Sequence, residues 1–490
     1  MKKRVVIIGA GPAGLTAAYE LLKSKEKYEI IILESEKQVG GIAKTISYHG
    51  NRMDLGGHRF FTKSKEINHL WQEILPVSKS KKDKKKDVLL IRNRVSHIYY
   101  HKKFFDYPVS LSIKTIRNLG LSTTFIAGIS YLKSKIFPKK ETNLENFYQN
   151  RFGNKLYQMF FKEYTEKLWG RKPDQLSADW GSQRVKGLSI SKVISQALKD
   201  LFHVKNKKVE TSLIDKFYYP KYGPGQMWEC MKNKIIENGG TILYNTTVTK
   251  IYKEGTKIKK VMALQGKETI TLSGDIFISS MPLKDLIEGM NEVPQNIRKI
   301  ASGLPYRDFL TIGVLTKKIR FENQAKMKDT WIYVQEPKIK MGRIQMFNNW
   351  SPYLVKNKNT YFLGLEYFCT ENDDFWNKKD NSLKEYAINE LCQMGIITKK
   401  DVLDAHVERV KKAYPAYFDT YTQINQLQTF LNKISNLYEI GRNGQHRYNN
   451  MDHSMLTALK AVQHIKNSNQ ISKEEIWKVN TEQEYMEEIK

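Results

Sequence analysis

Residues Arg4–Gly14, RVVIIGAGPAG, decide the fold of the amino-terminal part of the chain. The apolar run at its start is typical of a strand buried in a parallel sheet. Leu15–Lys23 then predicts a helix, and Tyr28–Leu33 predicts a second strand. Strand, glycine turn, helix and strand make up a βαβ unit, so the sequence predicts an α/β protein with a Rossmann-like domain and a parallel sheet.

The three glycines of this stretch follow the G-x-G-x-x-G spacing of dinucleotide-binding turns. The first permits a tight turn, the second allows the backbone to approach a pyrophosphate, and the third lets helix and strand pack closely. The N–H groups at the helix N-terminus then face the phosphates. The residues predicted to contact a dinucleotide here are Gly9, Gly11, Pro12, Ala13 and Gly14.

Glu34 ends the second predicted strand, where a carboxylate accepts hydrogen bonds from ribose hydroxyls and would repel a 2′-phosphate. Further on, Gly40 and Gly41, and then Gly57 followed by His58, predict two more tight backbone passages. An NAD-binding unit does not need a second glycine pair that returns over the pyrophosphate and a flavin. These residues therefore predict FAD as the cofactor.

A second glycine-rich turn lies near the end of the chain. A short apolar strand, residues 437–440, runs into a polar loop and then into a helix. Backbone N–H groups at such a helix N-terminus suit a flavin's pyrimidine edge, whose carbonyl becomes anionic on reduction. The cofactor-binding residues predicted here are Gly441, Arg442, Asn450, Met451 and Asp452.

Composition and charge narrow the range of possible binding partners. The chain has 490 residues, 40% of them apolar, and a formal net charge of +30. The excess is mostly scattered lysine, not an arginine stripe interleaved with aromatics, which indicates diffuse solvated surface charge and argues against nucleic acid; the alternative is an attraction to an acidic substrate or a peripheral membrane contact. The densest cluster, Lys79–Lys86, predicts an exposed loop. Leu119–Leu132 is too short and mixed to span a bilayer, and it predicts a buried or surface-lying helix.

Cysteine usage and the chain start favour a cytoplasmic protein. The three cysteines lie far apart, without metal-ligand spacing or a disulfide framework, so we expect no metal and a reducing compartment. The first apolar run is too short for a signal peptide. We expect the segments to interleave as 1–66, 211–300 and 431–490 for FAD binding, 67–210 as a mainly helical insertion, and 301–430 as an antiparallel-sheet substrate domain.

The motifs resemble those of the flavoprotein superfamily that contains amine oxidases, protoporphyrinogen oxidases and UDP-galactopyranose mutases, and the mutases above all. The similar stretches are residues 54–61, DLGGHRFF, residues 222–228, YGPGQMW, and residues 441–454. The resemblance implies that His58 packs by the flavin, and that Arg184 and Arg343 contact a substrate diphosphate. Tyr333 and Tyr448 resemble the accompanying phosphate-binding tyrosines.

The resemblance implies a mutase that interconverts pyranose and furanose forms of a nucleotide-activated sugar, with N5 of reduced FAD as nucleophile. His58, Arg184 and Arg343 are then the catalytic candidates. One alternative is an FAD-dependent oxidoreductase acting on an amine, a porphyrinogen or a polyprenoid. Another is a basic flavin-containing binding protein at a membrane surface. A diphosphate requires positively charged residues beside the flavin, whereas an apolar substrate favours a hydrophobic tunnel. This difference distinguishes the mutase from the oxidoreductase.

Overall fold

The computed structural model describes residues 2–24, 28–79, 85–107, 113–178, 216–320, 328–467 and 470–480. The chain divides into two compact units. The first comprises Met1–Ile91, Tyr218–Arg307 and Lys412–Glu482, and the second Arg92–Phe217, Asp308–Lys411 and Gln483–Lys490. The finer five-segment division stays a prediction.

Strands and helices are numbered in chain order through the described residues. The strands are β1 (Lys3–Ile8), β2 (Tyr28–Leu33), β3 (Thr45–Tyr48), β4 (Asn51–Asp54), β5 (Leu89–Asn93), β6 (Ser96–Tyr100), β7 (Lys103–Asp106), β8 (Lys216–Pro220), β9 (Thr241–Leu243), β10 (Thr246–Glu254), β11 (Lys257–Gln265), β12 (Glu268–Ser273), β13 (Ile276–Ser279), β14 (Tyr306–Thr316), β15 (Trp331–Val334), β16 (Arg343–Met346), β17 (Tyr361–Cys369), β18 (Val402–Pro415) and β19 (Leu437–Glu439). The helices are α1 (Pro12–Leu22), α2 (Lys65–Ile74), α3 (Ile113–Leu119), α4 (Leu121–Ile136), α5 (Leu144–Tyr157), α6 (Glu163–Trp169), α7 (Gly225–Glu237), α8 (Leu283–Gly289), α9 (Gln295–Ser302), α10 (Phe347–Trp350), α11 (Asp380–Gln393), α12 (Ile424–Asn432), α13 (Gly441–Gly444) and α14 (Met451–Lys466).

The first unit contains a five-stranded parallel sheet in the order β19-β13-β1-β2-β9. Its central strand β1 is apolar because both faces are covered, and Val5, Val6 and Ile7 are fully buried. Helix α1 packs against α14 through small residues such as Ala17 and Ala458. The predicted parallel sheet and βαβ unit are confirmed. Helix α1 begins at Pro12, earlier than predicted, since proline suits the first helical turn.

The second unit is built on a seven-stranded sheet in the order β18-β14-β17-β16-β15-β6-β7. The antiparallel pairing predicted for this part of the chain is confirmed for β14, β15, β16 and β17, which lie within residues 301–430. The sheet as a whole is mixed, because β15 also pairs in parallel with β6 from earlier in the chain. The alternation of apolar and polar residues along β14 to β17 carries no information about that long-range partner. Helices α3 to α6 follow β7; the mainly helical insertion over 67–210 stays a prediction, since the described part of that range also contains β5, β6 and β7.

Candidate functional site

The glycine turn lies at the carboxyl end of β1. Gly9 has φ +99°, and its N–H donates to the carbonyl of Leu33 at 2.8 Å. A Cβ on Gly14 would overlap the carbonyl oxygen of Gly9, so only glycine allows α1 to start this close to the turn. Gly11 precedes α1, and no side chain caps the N-terminus of this helix. The first N–H groups of α1 therefore present the helix's partial positive charge to the space before Gly11.

Gly41 lies opposite Gly11 and completes a backbone cradle. A Cβ built on Gly41 would be 3.5 Å from the Cα of Gly11, and one built on Gly11 would be 3.9 Å from the Cα of Gly41. The N–H of Gly40 donates to the carbonyl of Ala10 at 2.9 Å and holds the two turns together. We call this pair of glycine backbones the glycine cradle. It leaves free of side chains the space that a pyrophosphate requires.

Glu34 directly follows β2 and links the first glycine turn to the residues after β2. Its carboxylate accepts hydrogen bonds from the N–H of Ala10 at 2.7 Å and from the N–H of Glu36 at 2.9 Å. Burial raises the pKa of Glu34, and these backbone donors act against the rise. The hydroxyl of Ser35 also donates to Oε1 at 3.3 Å, whereas Oε2 keeps a second lone pair with which the carboxylate can accept from a ribose hydroxyl.

His58 lies in the turn after β4, as the half-buried side chain of the Gly57-His58 pair. Its Nδ1 is 3.0 Å from the carbonyl oxygen of Gly56. Because a carbonyl only accepts, this contact requires a proton on Nδ1. The turn thus fixes both the orientation and the tautomer of His58.

Asp54, immediately before this turn, anchors a buried network that sequence reasoning missed. It accepts hydrogen bonds from the hydroxyl of Thr45 at 2.9 Å and from the hydroxyl of Tyr219. Thr45 in turn accepts from the N–H of Gly225 at 3.0 Å, and a Cβ on Gly223 would lie 2.9 Å from Asp54. Burial raises the pKa of Asp54 to about 7, against the lowering effect of its two hydroxyl donors. An aspartate between apolar residues and glycines was the available signal.

The carboxy-terminal turn comes to the start of α1. A Cβ on Gly441 would be 3.0 Å from the Cβ of Ala13, so this loop lies against the glycine cradle's own helix. Arg442 donates to the carbonyls of Asn449 at 2.8 Å and Ala413 at 3.0 Å. Its guanidinium also lies 4.4 Å from the ring of Tyr448. Arg442 therefore holds the loop together. Its positive charge faces two carbonyl dipoles and the ring of Tyr448.

Helix α14 begins directly after this loop. Asn450 is its N-cap residue, and its side chain does not cap the helix. Met451 and Asp452 form the first turn and are buried. The acidic Asp452 complements the positive end of the helix dipole. All the residues that the sequence predicted as cofactor-binding lie in the first unit, and contacts join its first glycine turn to Glu34, Gly40, Gly41 and Gly441.

The predicted substrate residues Tyr333 and Arg343 are directly opposite each other on β15 and β16 in the second unit. Arg343 forms an ion pair with Glu366 on β17, with Nη2 and Oε2 2.5 Å apart. The arginine side chain is 12% exposed and the glutamate is fully buried. Sequence reasoning missed this pair, since it depends on the register between two strands. The ion pair offsets the charge that Arg343 offers to an anionic substrate.

Aromatic rings surround Tyr333. Its ring centroid lies 4.4 Å from that of Tyr107, 5.7 Å from that of Tyr164 and 5.8 Å from that of Trp331. We call these four residues the tyrosine cluster. Tyr448 belongs to the first unit, where it stacks on Tyr414. Arg184 lies outside the described residues, as does most of the predicted Lys79–Lys86 loop, so both stay predictions.

The first unit has a Rossmann-like fold, and its glycine cradle has the form of a dinucleotide-binding turn. Residues 7–74 match the family model described as an NAD(P)-binding Rossmann-like domain. The structure of reduced UDP-galactopyranose mutase superimposes with a TM-score of 0.81 at 20% identity, covering 99% of this chain and 100% of that one. A candidate protoporphyrinogen oxidase from Exiguobacterium sp. 255-15 superimposes with a TM-score of 0.70 at 14% identity, covering 96% and 100%. The predicted resemblance is confirmed at the level of the fold.

Sequence comparison points to a relative with another activity. Coproporphyrinogen III oxidase from Staphylococcus aureus (strain NCTC 8325 / PS 47) is 22% identical over 277 residues, which is 53% of this chain and 57% of that protein. The chain thus matches little more than half the length of this relative. Among the described residues, no helix has the length and hydropathy to cross a membrane. Nor, in the same ranges, do three His, Cys, Asp or Glu side chains gather as a metal site.

Proposed function

We propose that the chain binds FAD in its first unit and acts as an FAD-dependent enzyme of the UDP-galactopyranose mutase type on a nucleotide-activated sugar. The glycine cradle is the observation that carries the proposal. Two glycine backbones face each other beside an uncapped helix N-terminus, and a Cβ on either would enter the space between them. This arrangement suits a pyrophosphate and has no evident structural purpose without one.

The residues of the first unit divide the cofactor between them. The cradle and the start of α1 would hold the pyrophosphate, and Glu34 would accept from the ribose hydroxyls. The N-terminus of α14, at Met451 and Asp452, would face the flavin's pyrimidine edge. His58 would pack beside the ring, with its tautomer already set by the carbonyl of Gly56.

When bound and reduced, FAD supplies a nucleophilic N5 for the anomeric carbon of the sugar. The chain's own task is then to bind and orient a diphosphate. Arg343 would contact the diphosphate, because the planar fork of a guanidinium suits phosphate oxygens. Tyr333, its cross-strand neighbour, would add a hydroxyl donor.

A second candidate is an FAD-dependent oxidoreductase with a less anionic substrate. The buried ion pair between Arg343 and Glu366 favours it, since the carboxylate would repel a diphosphate brought to the same guanidinium. The tyrosine cluster offers ring faces to a flat or apolar molecule. The oxidase activities named for relatives of this fold are consistent with such a substrate.

One assay separates the two candidates. Dithionite-reduced protein is incubated with UDP-galactofuranose, and UDP-galactopyranose is followed by chromatography, with oxidised protein as the control. The proposal expects conversion by the reduced protein alone. No conversion by a flavin-loaded protein, together with oxygen-dependent peroxide release on an amine or a porphyrinogen, would favour the oxidoreductase.

A further inference from the structure

Helix α4 carries a stripe of exposed apolar side chains. Seven of the twelve exposed large apolar side chains among the described residues lie between positions 121 and 137. Five of them recur at helical spacing and share one face, and we call them the apolar stripe: Leu121, Phe125, Ile129, Leu132 and Ile136. Each is between 52% and 81% exposed. A contiguous apolar surface of this kind marks an interaction site.

The opposite face of α4 is small and polar, and it packs on the protein. Ser130 accepts a hydrogen bond from the N–H of Lys155 in α5 at 3.0 Å. A Cβ on Gly153 would be 2.7 Å from the backbone nitrogen of Tyr131, so the two helices touch closely there. Ala127 is the buried residue of the helix. A helix of a water-soluble domain normally turns its apolar face inward, and α4 does the reverse.

Positive charge borders the apolar stripe on both sides. At about 100° per residue, Lys133 and Lys135 lie on opposite flanks of the stripe, and both are exposed. Residues 121–140 contain four lysines and no acidic residue. Long lysine side chains can lie along an apolar surface while their ammonium groups reach an anionic layer above it. The chain's net charge of +30 adds a long-range attraction to such a layer.

We propose that α4 docks the protein on an anionic lipid surface, with the apolar stripe in the acyl boundary and Lys133 and Lys135 among the headgroups. The helix has 16 residues, or about 24 Å, which is shorter than the roughly 30 Å hydrocarbon core. It therefore lies in the interface and does not cross it. A second copy of the chain is a poorer occupant, because two copies that each carry a net charge of +30 repel each other.

Vesicle sedimentation tests this proposal on the full chain. Vesicles are made of phosphatidylcholine alone, or of equal parts of phosphatidylcholine and phosphatidylglycerol. We expect wild type to sediment with the anionic vesicles, and added salt to weaken the binding. Phe125→Ser combined with Leu132→Ser should lower the apparent affinity roughly tenfold or more, since two large apolar side chains no longer leave water. Both side chains are exposed, so circular dichroism should show an intact fold.

The matched control is Ile236→Ser combined with Leu264→Ser, which removes two exposed apolar side chains elsewhere. It should bind like wild type. Wild type that stays in the supernatant with both kinds of vesicle would overturn the proposal, as would equal losses in the two double variants. Self-association that only the helix variant abolishes, without vesicle binding, would assign the stripe to a second copy.

Discussion

The two units present their candidate sites in different ways. In the first unit the cradle is made of backbone, from Gly11 and Gly41, and no side chain fills it. In the second unit the predicted substrate face is made of side chains, and Arg343 is already engaged by Glu366. The candidate cofactor site is therefore a space that side chains leave open, whereas the candidate substrate site depends on how Arg343 and Glu366 pair their charges.

The largest expected effect concerns the ion pair of the second unit. Arg343→Ala removes the cationic partner of the fully buried Glu366, which keeps the hydrogen bond from the side-chain amide of Gln345, and should lower the free energy of unfolding by about 3–5 kcal/mol. Urea unfolding measures the loss. The control replaces both partners, Arg343→Met with Glu366→Leu, and should recover most of it. A loss below about 1 kcal/mol in Arg343→Ala would mean that the arginine is not structural.

The next effect is on cofactor affinity. Gly11→Asp places a carboxylate in the cradle, and two like charges about 4 Å apart repel by about 4 kcal/mol at an effective dielectric of 20. FAD affinity should therefore fall at least roughly a hundredfold, measured by flavin fluorescence quenching. Gly11 has φ −77°, so aspartate fits its backbone. The same change at Gly266, which has open space and φ +61°, is the control and should leave affinity unchanged.

Asp54 should give stability a pH dependence. Burial raises the pKa of Asp54 to about 7, above the roughly 3.9 of an unfolded aspartate, so the folded state binds this proton more tightly. The resulting stability is complete below the unfolded value and is lost as pH rises through the folded value. Asp54→Asn imitates the protonated group, so it should match wild type near pH 4. It should then gain on wild type by at most about 1.4 kcal/mol per pH unit up to about pH 7. Urea unfolding of both proteins across this pH range measures the difference in unfolding free energy. A difference that stays constant with pH would contradict the prediction.

The smallest effect is expected at Glu34. Glu34→Gln keeps the shape but weakens hydrogen bonds to the ribose, so FAD affinity should fall roughly tenfold. Titration with FAD checks this value. Glu254→Gln, at an exposed position in the same unit, should bind FAD as wild type does. An unchanged affinity in Glu34→Gln would restrict Glu34 to bridging Ala10 and Glu36.

How much could be predicted from the sequence follows from the same comparison. The βαβ unit and its turns were predictable because glycine spacing and an apolar run are local signals. The parallel pairing of β15 with β6 was not, since its partners are more than two hundred residues apart. The contact of Tyr219 with Asp54 and the Arg343–Glu366 pair were missed for the same reason: each joins strands whose register no local pattern encodes. The sequence pattern of α4 also did not predict the exposure of the helix, because the same pattern fits buried and surface-lying helices.

The most direct test of the central claim is the cofactor content of the folded chain. Purified protein is denatured, and the released small molecule is identified by mass and counted against the chain. The account predicts FAD, close to one per chain, after purification or after incubation with FAD. A folded protein that remains colourless after incubation with FAD, or that takes up a nicotinamide dinucleotide instead, would contradict it.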